Sequence, residues 1–382
     1  MLPLWPLDPA ATYLNHGTVG VTPTRVSEAQ QALRARIERH PSKFMLRELW
    51  TFTGSATRPT LMRQAAAEIA AFVGARADDL VFVDNTTTGV NAVLRSTSFS
   101  PGDEIVVTDH LYGGLLTAVQ YIARSSGAEV KVVAMPYPAF DAAVAVELLA
   151  AAITPRTRFA IVDHIAAESG IVFPVAEMVR ACKAKGTTVL VDGAHVPGAL
   201  TLDVSAIGAD YYVANLHKWA MAPRSSAFMV VAPERQATLH PAVISWGLDQ
   251  GFLQEFDWLG TRDATPWLVA PEGVRFLQDI GFDALRKYNH DLAWHTAQYL
   301  SDRWNTPLLI GESAVGCMVS IMTPEFIGST KPDAVRLRDR LLFDHDIEVQ
   351  VHARAGRVWV RVSAQAYNDR SDIEKLAAAC LA

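Results

Sequence analysis

The middle of the chain alternates short apolar runs with stretches patterned at helical spacing. The runs are Leu80–Val83, Glu104–Thr108, Val130–Ala134, Phe159–Asp163, Thr188–Asp192, Asp210–Ala214 and Ala227–Val231. Several are apolar at successive positions, which requires cover on both faces, as in buried parallel strands. Gly89–Arg95, Leu115–Arg124 and Val175–Ala184 lie between them and carry helix patterns. This rhythm predicts an α/β fold with a mostly parallel seven-stranded sheet covered by helices. The pattern changes near Pro266. Trp267–Asp279 and Asp283–Trp304 read as amphipathic helices, and Val315–Met322 and Arg357–Ser363 as short alternating strands. Residues 27–265 are therefore assigned to a large domain and 266–382 to a smaller α+β C-terminal domain. Residues 1–26 find no sheet partner in this scheme and are assigned to an arm packing with the small domain.

Composition narrows the classes. Of 382 residues, 50% are hydrophobic and 19% charged, enough for a full core. A net charge of -6 and a pI near 6.0 do not supply the basic face of a nucleic-acid binder. No window reaches the ~18 uncharged apolar residues of a membrane span. The opening Met-Leu-Pro-Leu-Trp-Pro-Leu-Asp lacks the basic start of a secretory signal. Cys182, Cys317 and Cys380 are far apart and form neither a CxxC pair nor a disulfide framework, so a reducing cytoplasm is the expected compartment. No metal-ligand set is read from the sequence. No strand–GxGxxG–helix unit is present either, which argues against a nicotinamide enzyme.

Three segments look chemical. Thr188-Val-Leu-Val-Asp192-Gly-Ala-His195-Val-Pro-Gly198 is a buried run ending in an acid. Ligands of open α/β sheets sit outside the carboxyl ends of strands, where Asp192 could hold a cationic ring nitrogen. An aspartate capping the next helix fits the same letters. Asp210-Tyr-Tyr-Val-Ala-Asn215-Leu-His217-Lys218-Trp219 is a second apolar strand, with a lysine 26 residues (218 − 192) after the acid. A lysine there, beside aromatics and a histidine, is placed for a lowered pKa and for imine formation with an aldehyde. An ordinary surface lysine is the alternative. Phe82-Val-Asp84-Asn85-Thr86-Thr87-Thr88-Gly89-Val-Asn91 ends a strand in hydroxyls and opens a helix, which suits a phosphate. A ligand-free threonine cap is the other reading.

These segments occur in order with Tyr13-Leu-Asn15-His-Gly17, Gly260-Thr261-Arg262-Asp263 and Arg361-Val-Ser363-Ala-Gln-Ala-Tyr367-Asn368. Together the set resembles the class V aminotransferase superfamily of pyridoxal-phosphate enzymes, fold type I, and within it the isopenicillin N epimerase-like branch. The resemblance spans nearly the whole chain. It implies that Lys218 carries pyridoxal 5'-phosphate as a Schiff base, that Asp192 binds the pyridine nitrogen, and that His195 faces the ring oxygen. Thr86, Thr87 and His217 resemble the phosphate ligands, joined by Asn215. Gly260 and Thr261 resemble the loop that reaches the neighbouring subunit's phosphate, which implies a homodimer. Arg361 matches the arginine that pairs with the substrate carboxylate, a two-pronged task, and Asn15 is placed with it in substrate binding. Tyr112 is taken as the residue stacking on the ring, with His110 as the alternative.

Departures from the family pattern are informative. Relatives that act as cysteine desulfurases carry a nucleophilic cysteine shortly before the matching arginine. Asp346–Arg361 contains none, so that chemistry is not expected. Ala166 and Ala167 stand where relatives often have Ser or Asn, while His164 fits a site residue and a core histidine equally. The reaction implied is abstraction of the Cα proton of an amino acid, leading to epimerisation or to β-elimination of the carbon–sulfur lyase type. Transamination is the alternative outcome, and an inactive binding module of the same fold is the alternative of another class.

Overall fold

The apolar runs become strands whose successive residues enter opposite cores. The computed structural model describes residues 1–51 and 58–382. Its strands are β1 (Thr12–Tyr13), β2 (Leu80–Val83), β3 (Glu104–Thr108), β4 (Glu129–Val133), β5 (Thr157–Asp163), β6 (Thr188–Asp192), β7 (Tyr211–Asn215), β8 (Ala227–Val231), β9 (Met318–Met322), β10 (Ile347–Glu348), β11 (Gln350–Arg354) and β12 (Arg357–Ser363). Seven of them form one sheet in the order β2-β8-β7-β6-β5-β3-β4. Only β8 runs against its neighbours; the other pairs in the sheet are parallel.

Phe82, Val106, Ala160, Val162, Val189 and Val191 pack on one face with helices Leu61–Val73, Ala142–Ala152 and Val175–Lys183. Val81, Val83, Val107, Ile161, Leu190 and Val213 pack on the other with helices Thr86–Ser96 and Gly113–Ser126. Alternation of side chains along a strand explains the split, and cover on both faces explains the unbroken apolar runs. Asp163, Asp192 and Asn215 end their strands in step with Ile161, Leu190 and Val213. All three therefore emerge on the face that carries helix Thr86–Ser96.

A second sheet, β11-β12-β9, is antiparallel. Val358, Val360 and Val362 face a core shared with helices Phe282–Trp304, Lys331–His345 and Arg370–Leu381. Trp359, Arg361 and Ser363 take the opposite face. Trp267–Asp279, expected as one helix, is two: Thr265–Leu268 and Ala270–Asp279, interrupted at Val269. Pro271 has no N–H to donate back to the Trp267 carbonyl and its ring crowds that carbonyl, so the first helix cannot run on and a second begins with the proline in its first turn.

One expectation is corrected. The segment before Ser27 does have a sheet partner, because β1 runs parallel to β10, pairing Thr12 with Ile347 and Tyr13 with Glu348. Asn15 continues the contact by bridging to Ser363. A two-residue strand has no period to read, so the pairing left no trace in the sequence pattern. Among the described residues no helix is long and apolar enough to cross a membrane.

Candidate active site

The carboxyl ends of β2, β6 and β7 open onto a cavity of about 820 Å³, closed on the far side by β11, β12 and the turn at Gly17 and Thr18. Thr86, Thr87, Tyr112, Asp192, His195, Asn215, His217, Lys218 and Arg361 all line it. This is where ligands of a doubly wound sheet are expected.

Lys218 follows β7 directly. Its Nζ lies 3.1 Å from His195 Nε2. Burial lowers its pKa to about 7; the Arg361 guanidinium adds to the shift and the Asp192 carboxylate opposes it. Asp192, 5% exposed, has its Oδ1 held by the Ala194 N–H at 2.9 Å. Burial raises its pKa to about 6. His195 is driven well below the usual imidazole range by burial and by the Lys218 charge, so it is neutral. Its Nδ1 is buried and has no partner among the described residues.

At the start of helix Thr86–Ser96 the free N–H groups are partly assigned. Asn85 Oδ1 accepts from the Thr88 N–H at 2.9 Å, and Asn215 Oδ1 accepts from the Thr86 N–H at 3.0 Å. Gly89 N–H goes to Asn85 O. The Thr87 N–H is the remaining donor of the first turn. The Thr86 hydroxyl is buried and unpartnered among the described residues. Asn215 thus acts on the loop more than on a ligand, since its carbonyl already holds Thr86. His217 Nδ1 lies 3.0 Å from Ser226 O, a carbonyl that can only accept, so the proton sits on Nδ1 and Nε2 is left for the cavity.

Arg361 forms the opposite wall, 3% exposed. Its Nη2 donates to Asn15 Oδ1 at 3.0 Å and to Thr18 Oγ at 2.7 Å, and Nη1 donates to the carbonyl of Ala167. Its Nε has no partner, and no carboxylate pairs with it among the described residues. Burial brings its pKa down to about 10 against the opposing pull of Glu168 and Tyr13, so it stays charged. A buried guanidinium without an acid is costly, and a bound carboxylate would relieve that cost. Asn15 is absent from the cavity lining. It stands behind Arg361 and donates from Nδ2 to Glu348 Oε1 at 2.7 Å.

The remaining site candidates separate. Tyr112, 51% exposed, opens helix Gly113–Ser126 at the cavity wall. His110 turns away from it, buried against Tyr137 and Phe173 with Nδ1 2.9 Å from Ser169 Oγ. His164 also lies outside the lining, with Nδ1 3.0 Å from the Tyr212 hydroxyl. Gly260 and Thr261 do not reach this cavity. Gly260 has a φ of +111°, which favours glycine, and nothing stands within 4 Å of where its Cβ would be.

Sequence reasoning missed three groups. Gln350 lines the cavity as the cross-strand partner of Arg361, which the hairpin turn at Gly356 makes readable. Glu168 lines it next to Ala167. Asp163 is a second strand-end acid, in register with Asp192 on the adjacent strand and accepting from Thr108 Oγ at 2.8 Å. The signal was present: Phe159-Ala-Ile-Val-Asp163 has the same form as Thr188-Val-Leu-Val-Asp192. Burial and the Asp192 charge raise the Asp163 pKa to about 8.

The residues fit pyridoxal phosphate. A phosphate has the Thr86 hydroxyl and Thr87 N–H, a ring oxygen has His195, a ring nitrogen has Asp192, and the aldehyde carbon has an amine poised to be neutral. Comparison with known proteins agrees. Isopenicillin N epimerase of Streptomyces clavuligerus is 32% identical over 389 residues, covering 97% of this chain and 94% of that protein. A probable chloroplastic L-cysteine desulfhydrase of Arabidopsis thaliana is 30% identical, covering 97% and 82%. Among solved structures, a C-DES variant with glycine covalently linked to its PLP cofactor superposes with a TM-score of 0.81 at 22% identity, over 100% of this chain and 98% of that one. The cysteine desulfurase of Thermococcus onnurineus NA1 gives 0.77 at 21%, over 98% and 95%. The fold is type I of the pyridoxal-phosphate enzymes, as the resemblance implied, and pyridoxal phosphate is the cofactor that goes with it. The class-V aminotransferase model matches residues 22–376, so the strand-end lysine, the acid one strand away and the arginine on the second sheet all fall inside it, and the chain belongs to that family.

Proposed function

We propose that this chain is a pyridoxal-phosphate enzyme that removes the Cα proton of an amino-acid substrate and completes either an epimerisation or a β-elimination of the carbon–sulfur lyase type. The observation that carries the reading is the buried Arg361, in no ion pair among the described residues, sharing one cavity with the Lys218 amine. Two of the relatives, an epimerase and a desulfhydrase, bear the two outcomes in their names.

The cofactor supplies an electron sink for the pair left at Cα. The rest falls to the chain. Arg361 takes the α-carboxylate and fixes the substrate's orientation. Lys218 would hold the cofactor and, as a free amine, take the Cα proton, and a pKa near neutrality suits that role. Asp192 would hold the pyridine N–H and His195 would face the ring oxygen. Tyr112 would cover the ring. Thr86, Thr87 and His217 would receive the phosphate, with Asn215 bracing the loop. Gly260 and Thr261 do not line this cavity, and the family resemblance would have them serve that of a neighbouring subunit in a homodimer. Cys182, Cys317 and Cys380 are buried and unpaired, in keeping with a reducing cytoplasm.

The test is incubation of the holoenzyme with L- and D-amino acids, cysteine included, in deuterated water. Deuterium at Cα with loss of optical purity, or release of pyruvate and sulfide, is the expected result. Stoichiometric keto acid with amination of the cofactor, and neither of those products, would replace the reading with transamination.

A further inference from the structure

Two neighbouring residues of the amino-terminal segment each touch one pole of the cavity. Asn15 accepts from Arg361 Nη2, and Thr18 does the same from one turn further on. His16 turns the other way. It is fully buried, and its Nε2 lies 3.0 Å from the backbone carbonyl of Lys218. A carbonyl only accepts, so Nε2 carries the proton. Nδ1 is then a lone-pair acceptor and takes the Tyr367 hydroxyl at 2.9 Å. Both ring nitrogens are used, and the imidazole is neutral: burial lowers its pKa to about 4. The ring rests on Trp219 with centroids 4.8 Å apart, so its orientation is fixed by packing as well. Gly20 completes the contact. Its φ is +68°, and a Cβ there would stand 1.9 Å from His217 O.

We propose that Asn15 and His16 act as a two-sided clasp, His16 positioning the Lys218 peptide and Asn15 positioning Arg361, so that one stretch of backbone sets the spacing of amine and guanidinium. The inference rests on the proposed roles of Lys218 and Arg361. It also accounts for the Leu14-Asn-His-Gly17 and Tyr367-Asn368 motifs. Asn368 Nδ2 donates to Tyr13 O at 2.9 Å and anchors the segment from the other side. The clasp divides the kinetic consequences between neighbours. A loosened Lys218 peptide misplaces the amine, which acts in both cofactor capture and proton transfer. A loosened Arg361 weakens carboxylate capture alone.

His16→Phe keeps the ring packing on Trp219 and removes both hydrogen bonds. Glutamine at 16 carries an amide N–H at the reach of Nε2. The phenylalanine variant should lower kcat roughly 10- to 100-fold with KM changed less than about threefold, since small misplacements of a reacting group cost that much. Its apoprotein should take up pyridoxal phosphate more slowly, followed by absorbance and by borohydride trapping at Lys218 with peptide mass spectrometry. His16→Gln should recover most of both losses. Asn15→Leu should instead raise KM about tenfold and leave the rate of cofactor uptake unchanged. Should His16→Phe fold poorly, Tyr367→Phe removes a single hydroxyl, and the same two readouts should move in the same direction by about threefold or more. Uptake and kcat at wild-type values in the folded His16 or Tyr367 variant overturn the clasp, as does a His16→Gln variant no better than phenylalanine. Failure of the wild-type apoprotein to form any reducible adduct at Lys218 would strike the proposed function itself.

Discussion

The two walls of the cavity face each other and differ in what they hold ready. On the wall made by strand ends, protons are loosely placed: Lys218 is brought down to about 7 and Asp192 raised to about 6, while Asp163, on the next strand and outside the lining, is raised to about 8. On the wall made by β12 stands a fixed charge, Arg361, with its hydrogen bonds made to neutral acceptors and no carboxylate paired with it among the described residues. One wall is arranged to move protons and the other to hold an anion still. The difference follows from construction. The first is built of short strand–turn segments, each braced by its own backbone. The second is assembled from residues 15, 18, 167 and 361, which meet only in the folded chain.

The comparison breaks most completely at Lys218. Lys218→Ala should lose the covalently held cofactor and all measurable turnover; a variant with normal turnover would remove the proton-moving wall from the account. Asp192→Asn should bind cofactor and lose activity by about 10²- to 10³-fold, because a neutral amide does not hold the ring's charge as electrons arrive. Near-normal rates would leave Asp192 as a turn-forming residue. Arg361→Lys strikes the other wall alone. It keeps the charge but loses the two-pronged geometry, so kcat/KM should fall about 10- to 150-fold, from a charge-assisted bond worth roughly 1.5–3 kcal/mol. Cofactor absorbance and melting temperature should stay put; unfolding, or no kinetic change, contradicts carboxylate binding.

Asp163 gives the smallest kinetic effect and the clearest dependence on pH. A carboxyl whose pKa is raised on folding keeps its proton while the unfolded chain has lost it, so stability declines as pH climbs from about 4 to about 8 and then levels. Asp163→Asn, an uncharged mimic of the protonated acid, removes that decline. The apoprotein variant should gain on wild type steadily as pH rises across this window, with activity within a few-fold. Parallel unfolding curves at both pH values would show that Asp163 is not held protonated.

The strand-end wall was legible in the sequence because its groups sit on short motifs with their own signatures. Leu80–Val83, Glu104–Thr108, Thr188–Asp192 and Ala227–Val231 came out with the bounds the apolar runs suggested. Asp163 was passed over although it ends such a run, because the Gly-Ala-His that follows Asp192 has no counterpart after it, His164 coming at once. The arginine wall was legible only in part. Arg361 stood out on an alternating strand, but Thr18, Gln350 and the Ala167 carbonyl are brought to it by folding, and a backbone acceptor has no letter of its own. The pairing of β1 with β10 escaped for a related reason. Two residues show no periodicity, and their partners lie more than three hundred positions away.

Ala167 combines two duties that do not interfere. The residue lines the cavity, and its carbonyl, common to every residue type, secures Arg361. A change of side chain at this position can reshape the space around a substrate without loosening the group that anchors it. The anchor is in this sense insulated from mutation. A lineage carrying this arrangement can explore new side chains at the mouth of the cavity, and hence new amino acids, while the means of gripping their common carboxylate is inherited intact.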